Sequence, residues 1–99
     1  MSEPRRFRAN PDVSCGVEED GALLYDPDTD VGTVVNPSGR ALWAFLETPR
    51  TLDEMAAHLV ATYSDVTPEV ALRDATRFVE SLMPDFVRDE RDEATPGAP

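Results

Sequence analysis

Three aspartates, Asp26, Asp28 and Asp30, alternate along one short segment with a spacing that is typical of calcium-binding loops. A complete EF-hand loop would also place Gly at its sixth position and Glu at its twelfth. Counted from Asp26, those two positions hold Val31 and Pro37 instead. The segment therefore predicts a charged turn and no calcium site.

The residue types used in nucleophilic and metal-assisted catalysis are present but isolated from one another. His58 is the only histidine and Cys15 is the only cysteine, so neither has a second ligand of its kind for a metal. The serines have no neighbouring histidine to activate them. The glycines are scattered and form no phosphate-binding loop. The sequence therefore predicts a binding module without a cofactor rather than an enzyme.

The charge and composition of the chain limit the partners that it can bind. It has 20 acidic residues against 9 basic ones, which gives a net charge of −11 over 99 residues. Most of its surface should repel nucleic acid phosphates and favour basic or neutral partners. A single cysteine cannot form an internal disulfide, which favours the cytoplasm. We find neither a membrane-spanning apolar run nor a signal peptide.

The segment from residue 31 to residue 46 joins a predicted strand directly to a predicted helix and organises the rest of the chain. The β-branched run of residues 31–35 predicts the strand. Asn36 is a favourable N-cap because its side-chain oxygen can accept a free N–H of the first turn. Pro37 suits the first helical position, where its missing N–H costs nothing.

The residues before this segment predict two partner strands. Residues 12–18 alternate weakly between apolar and polar, and residues 22–25 return after an Asp20-Gly21 hairpin signal. Three strands paired in chain order would place residues 31–35 at an edge of the sheet. Such an edge exposes N–H and C=O groups that could pair with another peptide. Charged turns and tails that simply protect the edge are the alternative, and the residues alone leave both open.

Start signals predict two further helices downstream. Thr51 and Glu54 form a capping box, and Thr67 with Pro68 repeats the cap-plus-proline start. The strands and helices together predict an α+β domain, with a three-stranded antiparallel sheet followed by three helices. The margin of the third helix could supply side-chain pockets beside the edge strand.

The composition of the two chain ends predicts disorder. Residues 1–11 are polar, with three arginines and flanking prolines, and residues 88–99 are charged and then rich in Ala, Pro and Gly. We therefore expect a disordered arm at residues 1–11, a folded domain at residues 12–87 and a disordered tail at residues 88–99.

The content and order of these segments resemble the PqqD-like family. Its members are recognition elements, or peptide chaperones, of ribosomally synthesised and post-translationally modified peptides (RiPPs). The resemblance covers residues 13–87. It lies in L-Y-D-P-D-T-D at residues 24–30, V-V-N-P-S-G-R-A-L-W at 34–43, R-T-L-D-E-M-A at 50–56 and V-T-P-E-V-A-L-R-D-A-T-R-F-V-E-S-L at 66–82.

The resemblance implies a winged helix-turn-helix-like fold that binds the leader of a precursor peptide and presents the precursor to a tailoring enzyme. The enzyme would be, for example, a radical SAM enzyme, a protease or a cyclodehydratase, and the protein itself a monomer or a homodimer. In the family the leader adds as a strand to the third strand, beside the third helix. The implied peptide-binding residues are Val31, Gly32, Thr33, Val34, Val35, Val70, Arg73, Asp74, Arg77, Phe78 and Ser81.

The chain departs from the family where the third helix ends. The family usually closes that helix with a small-residue turn, often Gly-Leu, whereas this chain has Met83-Pro84-Asp85. The departure concerns the far end of the implied groove.

Other functions are compatible with the residues. A winged-helix DNA-binding or protein-interaction domain is the first alternative, but the third helix has only Arg73 and Arg77 among three acidic residues, whereas a DNA-reading helix should be basic. An acidic carrier protein would need an attachment serine in an Asp-Ser-Leu context, and Ser38 lies in Pro-Ser-Gly. A subunit that dimerises through the edge strand is the last alternative.

Overall fold

Two small antiparallel sheets and three helices make up the computed structural model, which describes residues 4–90. One sheet has the strand order β5–β1–β6 and the other has the order β2–β3–β4. In chain order the elements are β1 (Arg6–Ala9), β2 (Ser14–Glu18), β3 (Gly21–Asp26), β4 (Val31–Val35), α1 (Pro37–Phe45), β5 (Arg50–Thr51), α2 (Leu52–Thr62), α3 (Pro68–Leu82) and β6 (Val87–Asp89).

The β2–β3–β4 sheet is the meander that the sequence predicts. β3 pairs antiparallel with β2, where Cys15 lies opposite Leu24, and with β4, where Leu24 lies opposite Thr33. Gly21 begins β3 with a φ of 143°, and a Cβ there would lie 1.8 Å from the Val35 carbonyl oxygen. Glycine meets both requirements and fixes the position at which β3 begins against β4. The predicted α+β class and the order of sheet before helices are confirmed.

Each helix begins at the cap that the sequence predicts. The Asn36 Oδ1 atom accepts the Gly39 N–H at 2.8 Å. The Thr51 hydroxyl accepts the Glu54 N–H at 3.1 Å, and the Glu54 carboxylate accepts the Thr51 N–H at 2.8 Å. Thr67 caps α3 through its side chain in the same way. These bonds satisfy N–H groups that have no partner within the helix, and each cap stabilises its helix by about 1 kcal/mol.

One apolar cluster joins the helices to both sheets. α2 packs along α3, and α1 packs on β3 and on α2. The largest side chains that are completely buried are Leu24, Leu42, Leu46, Met55, Leu59 and Val87. α3 contributes a stripe of buried side chains, Ala71, Ala75, Phe78, Val79 and Leu82. Burial of each large side chain contributes roughly 1.5–3 kcal/mol to folding, so this cluster sets the positions of the surrounding strands.

β1 is the central strand of the β5–β1–β6 sheet, which the sequence analysis did not predict. Phe7 lies opposite Arg50 of β5 and opposite Asp89 of β6. Its side chain is 3% exposed and belongs to the apolar cluster. The Arg5 Nε atom donates to the Asp89 Oδ2 atom at 2.7 Å, which ties the described start of the chain to its described end.

These strands correct the expectation of disorder next to the domain boundaries. Residues 6–9 of the expected arm form β1, and residues 88–89 of the expected tail belong to β6. The arginines of residues 1–11 suggested a segment exposed to solvent. The strands that pair with β1 lie far along the chain, so no pattern within residues 1–11 reveals them. The rest of the expected tail, from residue 91, and residues 1–3 lie outside the described residues.

Candidate functional site

β4 has one open side. It pairs with β3 on one side, and no strand within residues 4–90 pairs with the other. The predicted edge position of β4 is therefore confirmed for this part of the chain. An open edge can accept a further strand through backbone hydrogen bonds.

Two residues of β4 direct their backbone groups to the open side. The Leu24 carbonyl oxygen lies 3.6 Å from the position that a Cβ of Gly32 would occupy, so it points towards β4. Opposed residues of an antiparallel pair exchange hydrogen bonds at every second position. The Leu24–Thr33 pair is therefore bonded across the sheet. By alternation, the N–H and C=O groups of Gly32 and Val34 point away from β3 and are available to an incoming strand.

A cleft of about 420 Å³ runs beside this edge, between β4, the start of α1 and α3. Apolar residues of β4, α1 and α3 line it together with polar residues. The lining residues are Val34, Val35, Asn36, Ser38, Gly39, Leu42, Asp74, Arg77, Phe78 and Ser81. We call this cleft the β4–α3 groove.

Gly39 brings the three walls of the β4–α3 groove together. A Cβ at this position would lie 2.9 Å from the Val35 Cβ atom and 3.3 Å from the Phe78 Cε1 atom. Both distances are shorter than ordinary van der Waals contact, so a side chain here would push α1 away from β4 or Phe78. The absence of a Cβ lets the Phe78 ring pack against the first turn of α1.

Most of the α3 residues that the sequence analysis named lie in the β4–α3 groove. The structure brings together Val34, Val35, Asp74, Arg77, Phe78 and Ser81 as lining residues. Val31, Gly32 and Thr33 lie on β4 outside the cleft, and Val70 is half-buried outside it. Arg73 is exposed and lines a separate cleft on the outer face of α3.

Four lining residues were missed by the sequence analysis, Asn36, Ser38, Gly39 and Leu42. Asn36 was assigned only to the cap. Leu42 and Gly39 are three residues apart on α1, so helical spacing alone could have placed them on one face towards the strand edge.

The outer face of the β2–β3–β4 sheet is apolar and exposed around the open edge. The side chains of Leu23, Tyr25 and Val34 are 41%, 37% and 73% exposed. The Tyr25 hydroxyl donates to the Asp30 Oδ1 atom at 2.5 Å, and this hydrogen bond raises the pKa of Tyr25. The charged turn after β3 is therefore held to the sheet by a side-chain contact.

Side chains of catalytic type remain apart in the structure. The His58 ring stacks on Phe45 with 4.2 Å between centroids, and the Arg50 guanidinium lies 4.1 Å from the Phe45 centroid. Cys15 is exposed, and its thiol is free of any disulfide bond. No group of three His, Cys, Asp or Glu side chains within residues 4–90 could hold a metal ion. No helix in the same range is long and apolar enough to cross a membrane.

The fold and the groove together define a class, a winged-helix-like α+β domain whose meander sheet has an open edge beside its third helix. A model of the family described as coenzyme PQQ synthesis protein D (PqqD) matches residues 21–83. That match spans more than half of the chain, and the chain belongs to the PqqD family.

Two solved structures share this fold. "TbiB1 in Complex with the TbiA(beta) Leader Peptide" is 21% identical, with a TM-score of 0.65 over 76% of this chain and 86% of that chain. "Lasso peptide synthetase B1 complexed with the leader peptide" is 23% identical, with a TM-score of 0.67 over 82% of this chain and 95% of that chain. At these identities the similarity establishes the shared fold. A comparison with curated proteins gave no match.

Proposed function

We propose that this protein binds the leader of a ribosomally synthesised precursor peptide along β4 and presents the precursor to a tailoring enzyme. The open side of β4 directly beside the β4–α3 groove is the observation that carries the proposal. Membership of the PqqD family supports it. The two structures of the same fold, each of a protein with a leader peptide, support it as well.

The geometry explains how one site can bind a peptide with both tolerance and selectivity. Gly32 and Val34 would exchange backbone hydrogen bonds with the leader, which do not depend on its side chains. Every second leader side chain would point inwards to the groove, where Val35 and Phe78 offer apolar contact. We expect a few such anchor residues to supply most of the affinity.

The role assigned to this chain is recognition, and the chemistry belongs to the partner enzyme. A radical SAM enzyme, a protease or a cyclodehydratase would each fit a recognition element of this kind. The protein would act without a cofactor, in the cytoplasm, as a monomer or a homodimer. Its negative charge favours leaders or enzymes with basic surfaces.

The outer face of α3 argues against DNA as the partner. Arg73 and Arg77 lie there beside Glu69 and Glu80 in one cleft. A recognition helix needs a basic stripe to approach phosphates. The mixed charges on α3, within a chain of net charge −11, do not provide one.

The proposal is tested by a proline placed where the free N–H points to the leader. Gly32→Pro removes that donor and blocks close backbone approach, but leaves the hydrogen bonds between β3 and β4 intact. We expect calorimetry with a leader peptide encoded beside this gene to give micromolar or tighter binding, weakened about tenfold by the proline.

Gly32→Ala is the matched control. Its added Cβ would meet nothing closer than 3.6 Å, and its N–H is retained. We expect it to bind the leader about as well as the unchanged protein. Circular dichroism checks that the proline variant is folded. If the folded proline variant binds the leader as tightly as the unchanged protein does, strand addition to β4 is ruled out.

A further inference from the structure

Two opposite charges line the β4–α3 groove without a partner in the molecule. Asp74 is half-buried and Arg77 is exposed at the rim. Within residues 4–90 neither side chain makes a hydrogen bond or an ion pair, whereas Arg5 and Asp89 pair with each other. A partly desolvated carboxylate is stabilised by a positive partner. The groove therefore offers one unpaired site of each sign.

The spacing of these charges suits an added strand. Asp74 and Arg77 are three residues apart, which is about 4.5 Å along α3. Successive side chains on one face of a strand are about 6.8 Å apart. The long side chains of Lys, Arg and Glu can cover the difference. Two successive inward-facing residues of a bound peptide can therefore reach both charges at once.

Resting on the proposed function, we propose that the groove selects leaders with a basic side chain facing Asp74 and an acidic side chain facing Arg77. The basic and the acidic residue of the leader are two positions apart, next to the leader residues that contact the apolar side chains of the groove. The selection has one order of signs only, because the leader runs in one direction along β4. The negative charge of the whole chain attracts basic peptides in general, whereas Arg77 adds a local requirement for one acid.

The test is a display library of short random peptides, selected on the unchanged protein and on the double variant Asp74→Arg with Arg77→Asp. We expect the unchanged protein to enrich peptides with a base and an acid two positions apart. The double variant should enrich the reversed order. Each single mismatch in a synthetic peptide should weaken binding about fivefold, less at high salt because exposed ion pairs are screened.

Two matched controls separate the groove from the rest of α3. Glu69→Arg and Glu80→Arg each reverse a negative charge on the outer face of α3, outside the groove. We expect both variants to enrich the same sign pattern as the unchanged protein. A pattern that follows these two substitutions instead would overturn the assignment to Asp74 and Arg77.

Selection on Gly32→Pro distinguishes the failure of this inference from the failure of the proposed function. One outcome is that the unchanged protein enriches peptides that the proline variant does not, and that these peptides carry no charged residues at the two positions facing Asp74 and Arg77. This outcome would overturn the charge selectivity but would still support strand addition. The charge selectivity is also overturned if the double variant does not enrich peptides with the reversed order of base and acid. If the unchanged protein enriches no peptide over the proline variant, both proposals are overturned.

Discussion

At the scale of single residues, Gly39 sets the width of the β4–α3 groove. Its missing Cβ lets α1, β4 and the Phe78 ring meet. The nearest atom to an added Cβ would be the Cβ of Val35, which is fixed to the backbone and cannot turn away as the tip of a long side chain can. A larger residue at this position must therefore move a strand or a helix.

We predict that Gly39→Ala destabilises the protein by about 1 kcal/mol. Overpacking typically costs about 2 kcal/mol, and the better helix propensity of alanine returns about 1 kcal/mol. Urea unfolding measures this difference. Gly16→Ala is the comparison, since its added Cβ would meet nothing closer than 4.0 Å. A Gly39→Ala protein that is more stable than the unchanged one would show that the three walls are not in contact.

At the scale of elements, the start of α2 depends on a carboxylate. The backbone N–H of Thr51 donates to the Glu54 carboxylate, and this hydrogen bond is the main cause that lowers the pKa of Glu54 from 4.5. A carboxyl with a lower pKa in the folded state contributes stability above its unfolded pKa and loses it as the pH falls through the folded pKa.

We predict that Glu54→Gln makes the stability of the protein less dependent on acidic pH. Glutamine keeps an acceptor for the Thr51 N–H but has no charge to lose. The two proteins should therefore differ most above pH 4.5, the unperturbed value, and converge at lower pH. Thermal unfolding between neutral and acidic pH measures the difference. Parallel pH profiles would show that the Glu54 carboxylate does not cap the helix in solution.

At the scale of the whole molecule, the first and last described strands pair in a sheet that is separate from the sheet of β4. β1 lies between β5 and β6, and Phe7 enters the apolar cluster. Asn10 is 2% exposed, and its side-chain Nδ2 atom donates to the Asp85 carbonyl oxygen at 2.8 Å. The chain after α3 is thus held next to β1, whereas β4 pairs with β3 alone among the described strands.

We predict that Phe7→Ala lowers the free energy of unfolding by about 3 kcal/mol, as expected for an aromatic side chain in a core. Arg6→Ala, next to it on the same strand and half-exposed, should cost less than about 0.5 kcal/mol. Urea unfolding distinguishes the two. Equal midpoints for both variants would show that β1 does not pack on the core.

Signals within a few neighbouring residues were enough to predict much of the fold. Asn36, Thr51 and Thr67 each cap a helix as predicted, because a cap and the N–H that it accepts are three residues apart. The hairpin signal at residues 20–21 and the charged turn after β3 set the order of the meander, and that order places β4 at the edge.

Only the tertiary structure decided which distant residues share a surface. β1 depends on β5 and β6, which come much later in the chain, and its arginines suggested a solvated arm instead. The groove likewise needs Gly39 of α1 to meet Phe78 of α3, and it places Asp74 and Arg77 opposite an open strand. Turns and caps are encoded by neighbouring residues, whereas these contacts arise when segments far apart in sequence compete to bury the same apolar surface.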